Sequence, residues 1–275
     1  MLEIPEANTV AAQLNGIVKG KRIMNVIAGG APHKFAWFYG DPQKYHDRLA
    51  GKTIGEASAY GGFVEIKAED MVILLGDGVG IRYHGENEAR PQKCQLLVEF
   101  GDHSAISASV QMYGGMWCFR EGEFENPYYL QAKEKPSPMS DRFDRTYFDT
   151  ILTAPGAEGL SAKALLAAEQ RIPGLGNGVL QDILFNAGIH PRKKLKTISN
   201  GDRDKLYEVI KSTLAEMTFQ GGRDTETDLF GCHGGYRTRL SKNTAGKPCE
   251  ECGTIIKKEA YMGGSIYYCT GCQEI

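Results

Sequence analysis

The chain reads as an α+β protein built from several units: an N-terminal helix joined to a β-sandwich, a helical middle and a small cysteine-bearing C-terminal hairpin. Three observations carry this. Short strand-like runs broken by Gly, Asp and Asn fill the first half. Apolar residues at helical spacing replace them in the second, and two CxxC pairs lie close to the end. A chain of 275 residues is long enough for two or three units with cores of their own.

Pro5 sits near the start of a segment of good helix formers, which predicts a helix from Glu3 to Leu14. Between about Ile17 and Phe124, runs such as FVEI, MVILLG, CQLLVEF and AISASV have the length and punctuation of an all-β sandwich or barrel. The polar stretch QAKEKPSPMSD, residues 131–141, holds two prolines and predicts a linker. Beyond it, Ser161 is placed to cap a helix through AKALLAAEQ, and Asn177 to Ala187 predicts a second helix closed by Gly188 and Pro191. Leu206, Val209, Ile210, Thr213, Leu214 and Met217 follow helical spacing on a third, stopped by Gly221-Gly222. The expected units are therefore residues 1–130, a linker 131–141, residues 142–240 and residues 241–275.

Composition excludes little. Hydrophobic residues at 41% and charged residues at 24% are ordinary for a soluble globular protein. No run approaches the roughly 18 apolar residues of a membrane helix, and MLEIPEANTV lacks the apolar core of a secretory signal, so a cytoplasmic protein with no membrane partner is expected. The net charge is −2. From Asn186 onward there are 14 Lys and Arg against 11 Asp and Glu, and 18 against 23 before it. The C-terminal third is mildly basic, which permits binding to nucleic acid without arguing for it.

Cys249-Glu250-Glu251-Cys252 and Cys269-Thr270-Gly271-Cys272 form two tight turns, each able to present two thiolates to one ion. Four thiolates make a closed tetrahedral site suited to structural zinc. Iron in the same geometry, or a redox pair without metal, are the alternatives. The residues between read as a hairpin around Gly263-Gly264. The other cysteines, Cys94, Cys118 and Cys232, read as small buried apolar residues.

Gly174-Leu175-Gly176-Asn177 runs directly into the second helix, where free backbone amides favour an anion and glycines allow close approach. Alone this turn is weak evidence. Together, PGLGNGVLQDILFNAGIHP (Pro173 to Pro191), GKPCEECGTIIKK…YYCTGCQ (Gly246 to Gln273) and MLEIPEANT (Met1 to Thr9) resemble, in order and along the whole length, the bacterial formamidopyrimidine-DNA glycosylase and endonuclease VIII family. The resemblance implies a helix–two-turn–helix domain and a zinc-finger hairpin, with a cleft for damaged double-stranded DNA between the sandwich and the helical half of a monomer. It implies phosphate contacts from Asn177 and Lys163, and proton transfer at the sugar by Glu3, with Glu6 as the second N-terminal acid. For Lys163 a solvated helix lysine, and for both acids a favourable place at a helix N-terminus, are the plain alternatives.

The family's catalytic pattern breaks here. Its nucleophile is an N-terminal proline amine freed by removal of the initiator Met. This chain has Leu2, a residue that ordinarily blocks that removal, which leaves any amine on Met1, about 3.8 Å out of register. The family's β-domain lysine falls near Ala59-Tyr60-Gly61, and no lysine follows until Lys67. Asp77, Met112 and Tyr113 occupy the lesion-flanking positions, where Tyr113 can still wedge into a base stack. Gly264 stands where the hairpin's phosphate-binding arginine belongs, with Lys257 and Lys258 the nearest cations. Three functions remain open: a divergent glycosylase releasing bases through Glu3 and water with little lyase activity, a catalytically inactive nucleic-acid-binding protein on the same scaffold, or a lyase using Met1 or Lys52.

Overall fold

The computed structural model describes residues 2–275; the Met1 amine therefore lies outside the described residues. The first helix, α1 (Ile4–Ile17), begins with a capping box between Glu3 and Glu6, and Pro5 fits the first turn because no N–H is needed there. It runs one turn past the expected Leu14.

The strands follow: β1 (Ile23–Ala28) and β2 (Ala36–Trp37), then a short helix α2 (Tyr45–Leu49), then β3 (Ile54–Tyr60), β4 (Phe63–Ala68), β5 (Met71–His84), β6 (Leu96–Phe100) and β7 (Ala105–Arg120). They join in one hydrogen-bonded path, β1-β6-β7-β5-β4-β3, with β2 beside β7. Successive residues of a strand face opposite sides, so the pleat serves two cores. Along β5, Ile73 and Leu75 pack with Val10 and Leu14 of α1. Their neighbours Val72 and Leu74 pack with Phe63, Trp117 and Tyr129 on the far face.

The expected linker is partly helical. Helix α3 (Pro127–Glu134), capped by Asn126, enters residues 131–141, because Tyr129 and Ala132 bury against the second core. After it come α4 (Arg145–Leu152), α5 (Ala162–Ala167), α6 (Asn177–Ala187) and α7 (Asn200–Phe219). Ser161 caps α5 as its sequence predicts, but the helix stops at Ala167, short of Gln170. Glu169 and Gln170 adopt left-handed backbone, with φ of 55° and 49°. Helix α6 has the predicted bounds. Ile4, at the start of α1, packs into the helical core with Leu165, Leu180 and Leu214 while the rest of α1 serves the sandwich. The N-terminus is thereby pinned between the two halves.

At the C-terminus β8 (Lys257–Tyr261) and β9 (Gly264–Tyr268) form the expected hairpin. Both turn residues, Met262 and Gly263, have positive φ, as a two-residue turn matching the strand twist requires. No helix among the described residues is long and apolar enough to cross a membrane.

Candidate active-site cleft

Glu3 joins three elements. Standing ahead of α1, its carboxylate accepts the amides of Gly178 (2.9 Å) and Val179 (2.7 Å), capping the first turn of α6. The Arg223 guanidinium lies 3.5 Å away. Glu6, one turn on, accepts Arg223 Nε at 2.9 Å, its Nη2 at 2.8 Å and its backbone N–H at 3.1 Å. All three side chains are buried. Burial raises the Glu3 carboxyl above the usual range, and Arg223 and the two α6 amides only partly offset this. Burial acts on Glu6 in the same direction, but its pairing with Arg223 prevails and holds that carboxyl below the usual range. Two acids three residues apart thus end on opposite sides of the usual range, because burial outweighs Arg223 at Glu3 while direct pairing with Arg223 outweighs burial at Glu6.

A cleft of about 1000 Å³ opens between the sandwich and the helical half, and Leu2, Glu3, Asp77, Met112, Tyr113 and Asn177 are among its lining residues. The Leu2 amide donates to the Asp77 carbonyl at 3.2 Å, fixing the backbone where the family's nucleophile would stand. The β3–β4 turn, Gly61-Gly62, is closely packed. A Cβ on Gly61 would lie 2.8 Å from the Pro173 carbonyl carbon, and one on Gly62 2.9 Å from the Leu2 carbonyl oxygen. That turn is packed backbone to backbone against the N-terminus and the Pro173-Gly174 loop, with no room for a side chain.

The expected phosphate contacts are turned inward. Lys163 is buried and donates to the Tyr261 carbonyl at 2.7 Å, and burial lowers its pKa. Asn177 donates to the Ser265 carbonyl at 2.8 Å, while its Oδ1 is buried without a hydrogen-bond partner among the described residues. Gly264 does lie beside them: a Cβ there would be 3.5 Å from Lys163 Nζ and 3.7 Å from Asn177. Lys257 and Lys258 are exposed on β8 and do not line the cleft. Glu6 does not line it either, being closed off by Arg223. Lys52 pairs with Asp70, and Lys67 with Glu121, both away from the cleft lining.

Three features escaped sequence reading. The ion pairs of Arg223 were not legible, because its partners Glu3 and Glu6 lie more than two hundred residues earlier. Gln181 bridges to the hairpin, donating to Ser265 O and accepting from Tyr267 N. Trp37, Phe63 and Trp117 line the cleft without belonging to any motif.

The four motif cysteines converge, with their Sγ atoms all within 4.8 Å of one another. The Cys252–Cys269 and Cys249–Cys272 separations are 3.3 and 3.8 Å. A tetrahedral site with metal–sulfur bonds of about 2.3 Å needs about 3.8 Å between sulfurs, so the cluster can hold a metal ion. Among the described residues no other group of His, Cys, Asp or Glu does so. Of the remaining cysteines only Cys118 is fully buried; Cys94 is half-buried and Cys232 exposed, because its loop runs over the surface.

No protein-family model matches the chain. Curated relatives match it end to end. A formamidopyrimidine-DNA glycosylase of Bacillus subtilis is 27% identical over 99% of both chains, and one of Bacillus licheniformis is 28% identical over the full length of both. Solved structures agree in fold. Lactococcus lactis Fpg in complex with DNA containing an abasic site superposes with a TM-score of 0.83 at 23% identity, covering 99% of this chain and 100% of that one. Fpg (MutM) from Thermus thermophilus gives 0.81 at 22% identity over 98% of each.

Proposed function

From the premise that this chain belongs to the formamidopyrimidine-DNA glycosylase and endonuclease VIII family, we propose that it is a DNA-repair glycosylase-like protein that releases a damaged base with water rather than an amine. The observation that carries the reading is the Glu3 carboxylate, clamped by the α6 amides and Arg223 at the edge of an open cleft. A fixed carboxylate there stabilises the cationic character that develops on a sugar as its glycosidic bond breaks, and accepts a proton from the attacking water. Its raised pKa suits proton transfer nearer neutrality than an exposed glutamate would. The lyase step falls away because position 2 is leucine, with its backbone nitrogen donating to Asp77 O.

In this reading residues 1–130 supply the catalytic-type unit, 142–240 the helix–two-turn–helix unit and 241–275 a zinc finger. Cys249, Cys252, Cys269 and Cys272 hold one structural zinc, which fixes the hairpin that Asn177, Gln181 and Lys163 grip. The partner is damaged double-stranded DNA bound by a monomer, with Tyr113 as the wedge and the exposed Lys257 and Lys258 as backbone contacts.

One observation favours a second reading, an inactive binding protein: Lys163 and Asn177 are committed to hairpin carbonyls. Cleavage and borohydride-trapping assays on duplexes with an abasic site, 8-oxoguanine, a ring-opened purine or an oxidised pyrimidine separate the cases. Base release without trapping, lost in Glu3→Gln, is expected. Trapping overturns the water mechanism, and duplex binding without release favours the second reading.

A further inference from the structure

The cleft is unusual in its chemistry for a site that meets DNA. Its lining includes five aromatic side chains, Trp37, Phe63, Tyr113, Trp117 and Tyr128, and three acids, Glu3, Asp77 and Glu169, but no Lys, Arg or His. The aromatic floor is built into the sheet. Gly76 and Gly115 face each other across β5 and β7. A Cβ on Gly115 would fall 1.9 Å from the Trp117 ring, and one on Gly76 2.4 Å from the Phe63 ring. The two rings therefore lie over a pair of bare backbones, their centroids 6.1 Å apart. Trp37 and Tyr113, 5.9 Å apart and both partly exposed, form the opposite lip.

Of the three acids, Glu3 is paired with Arg223 and Glu169 with Arg171, which leaves Asp77. Asp77 is held in left-handed backbone at φ 60°, its carboxylate has no hydrogen-bond or ion-pair partner among the described residues, and burial raises its pKa above the usual carboxylate range. The Tyr113 phenol is raised by burial and then by the nearby Asp77 and Glu3 carboxyls. Aromatic faces and the unpaired Asp77 carboxylate both attract a planar cation, whereas a neutral oxidised base gains only the stacking.

We propose that this cleft takes a cationic, N-alkylated purine as its extruded base. The assignment rests on the glycosylase reading and names its substrate class. The reaction balances without an amine. Water oxygen forms the bond to C1′ as the C1′–N bond breaks, the bonding pair returns to the ring nitrogen and cancels its positive charge, and the water proton passes through Glu3 to solvent. A cationic base leaves as a neutral molecule, so the step needs neither leaving-group protonation nor the covalent nucleophile that Leu2 has displaced.

The chain has only two tryptophans, and both line this cleft, so intrinsic fluorescence reports its occupancy directly. The experiment titrates the protein with 7-methylguanosine and with guanosine, in mildly acidic buffer where the former is cationic. In parallel, release of 7-methylguanine, 8-oxoguanine and a ring-opened purine is followed from duplexes. We expect at least about tenfold tighter quenching by 7-methylguanosine, and release of 7-methylguanine without borohydride trapping. Asp77→Asn, which asparagine tolerates at positive φ, should erase most of the preference. Gly115→Ala should displace Trp117 and weaken both ligands. Equal affinities, with oxidised bases released, would overturn the cationic assignment and leave the glycosylase reading standing. A retained preference for 7-methylguanosine, with no release from any duplex, would instead overturn the glycosylase reading and the hydrolysis built on it.

Discussion

The two walls of the cleft use their polar and apolar groups in opposite ways. On the helical side Lys163, Asn177 and Gln181 point at backbone carbonyls of the hairpin, and the α6 amides are capped by Glu3. On the sandwich side Phe63 and Trp117 lie over glycines and Asp77 faces the opening unpaired among the described residues. The donors of the first wall are committed to the structure, and Asn177 Oδ1 is left without a partner among the described residues. The second keeps its interaction capacity for a ligand. Recognition at this cleft is therefore expected to depend on stacking and negative charge more than on direct phosphate contacts.

Removing the metal is the largest way to break that contrast. Apparent zinc affinities of isolated fingers correspond to about 10–16 kcal/mol of folding free energy. Chelation should release one zinc per chain, unfold the hairpin and free Asn177, Gln181 and Lys163, read as loss of hydrogen-exchange protection at Tyr267 and across β8 and β9. Protection unchanged after the metal is gone would mean that the hairpin holds without it.

Arg223→Met tests the tie shared by both walls. It leaves the Glu3 and Glu6 carboxylates buried without their counter-charge, at a cost of about 3–5 kcal/mol, or about 10 °C in Tm for a chain of this size. In the variant both carboxyls should bind protons more tightly when folded than when unfolded. Stability should thus recover as the pH falls from neutral towards about 5 and be lost again as it rises. A pH-independent loss would assign Arg223 a packing role instead. In the wild type Glu6 has the opposite sign: its depressed pKa contributes stability above the unfolded carboxylate range, lost as acid protonates it.

The smallest effect tells whether the helical wall can reopen. Lys163→Met removes one charge-assisted bond to Tyr261, about 1–3 kcal/mol, and should leave duplex affinity unchanged if the lysine stays on the hairpin. A fall in affinity, with the salt dependence reduced by about one ion, would mean that DNA draws Lys163 away from Tyr261.

Local chemistry was legible. The bounds of α6, the hairpin turn and the four clustered cysteines follow from glycine placement, capping and CxxC spacing, all set by residues a few positions apart. Even there the linker was misjudged at α3, because its helix is held by burial of Tyr129 and Ala132 in a core made elsewhere. The resemblance indicated which positions to watch: Asp77, Met112, Tyr113 and Asn177 do meet at one cleft, and Gly264 does stand beside Lys163. Their roles were not legible. Whether Lys163 faces solvent or a carbonyl, and whether Glu6 faces a substrate or Arg223, depends on groups roughly a hundred to two hundred residues distant.

The sequence by itself determined the order of the elements, the four-cysteine cluster and the leucine at position 2, since each is written in adjacent residues. Only the tertiary structure decided which charges are consumed internally and which remain available. Burial and pairing set the state of an ionisable group, and both arise only when segments far apart in the chain exclude water from one another.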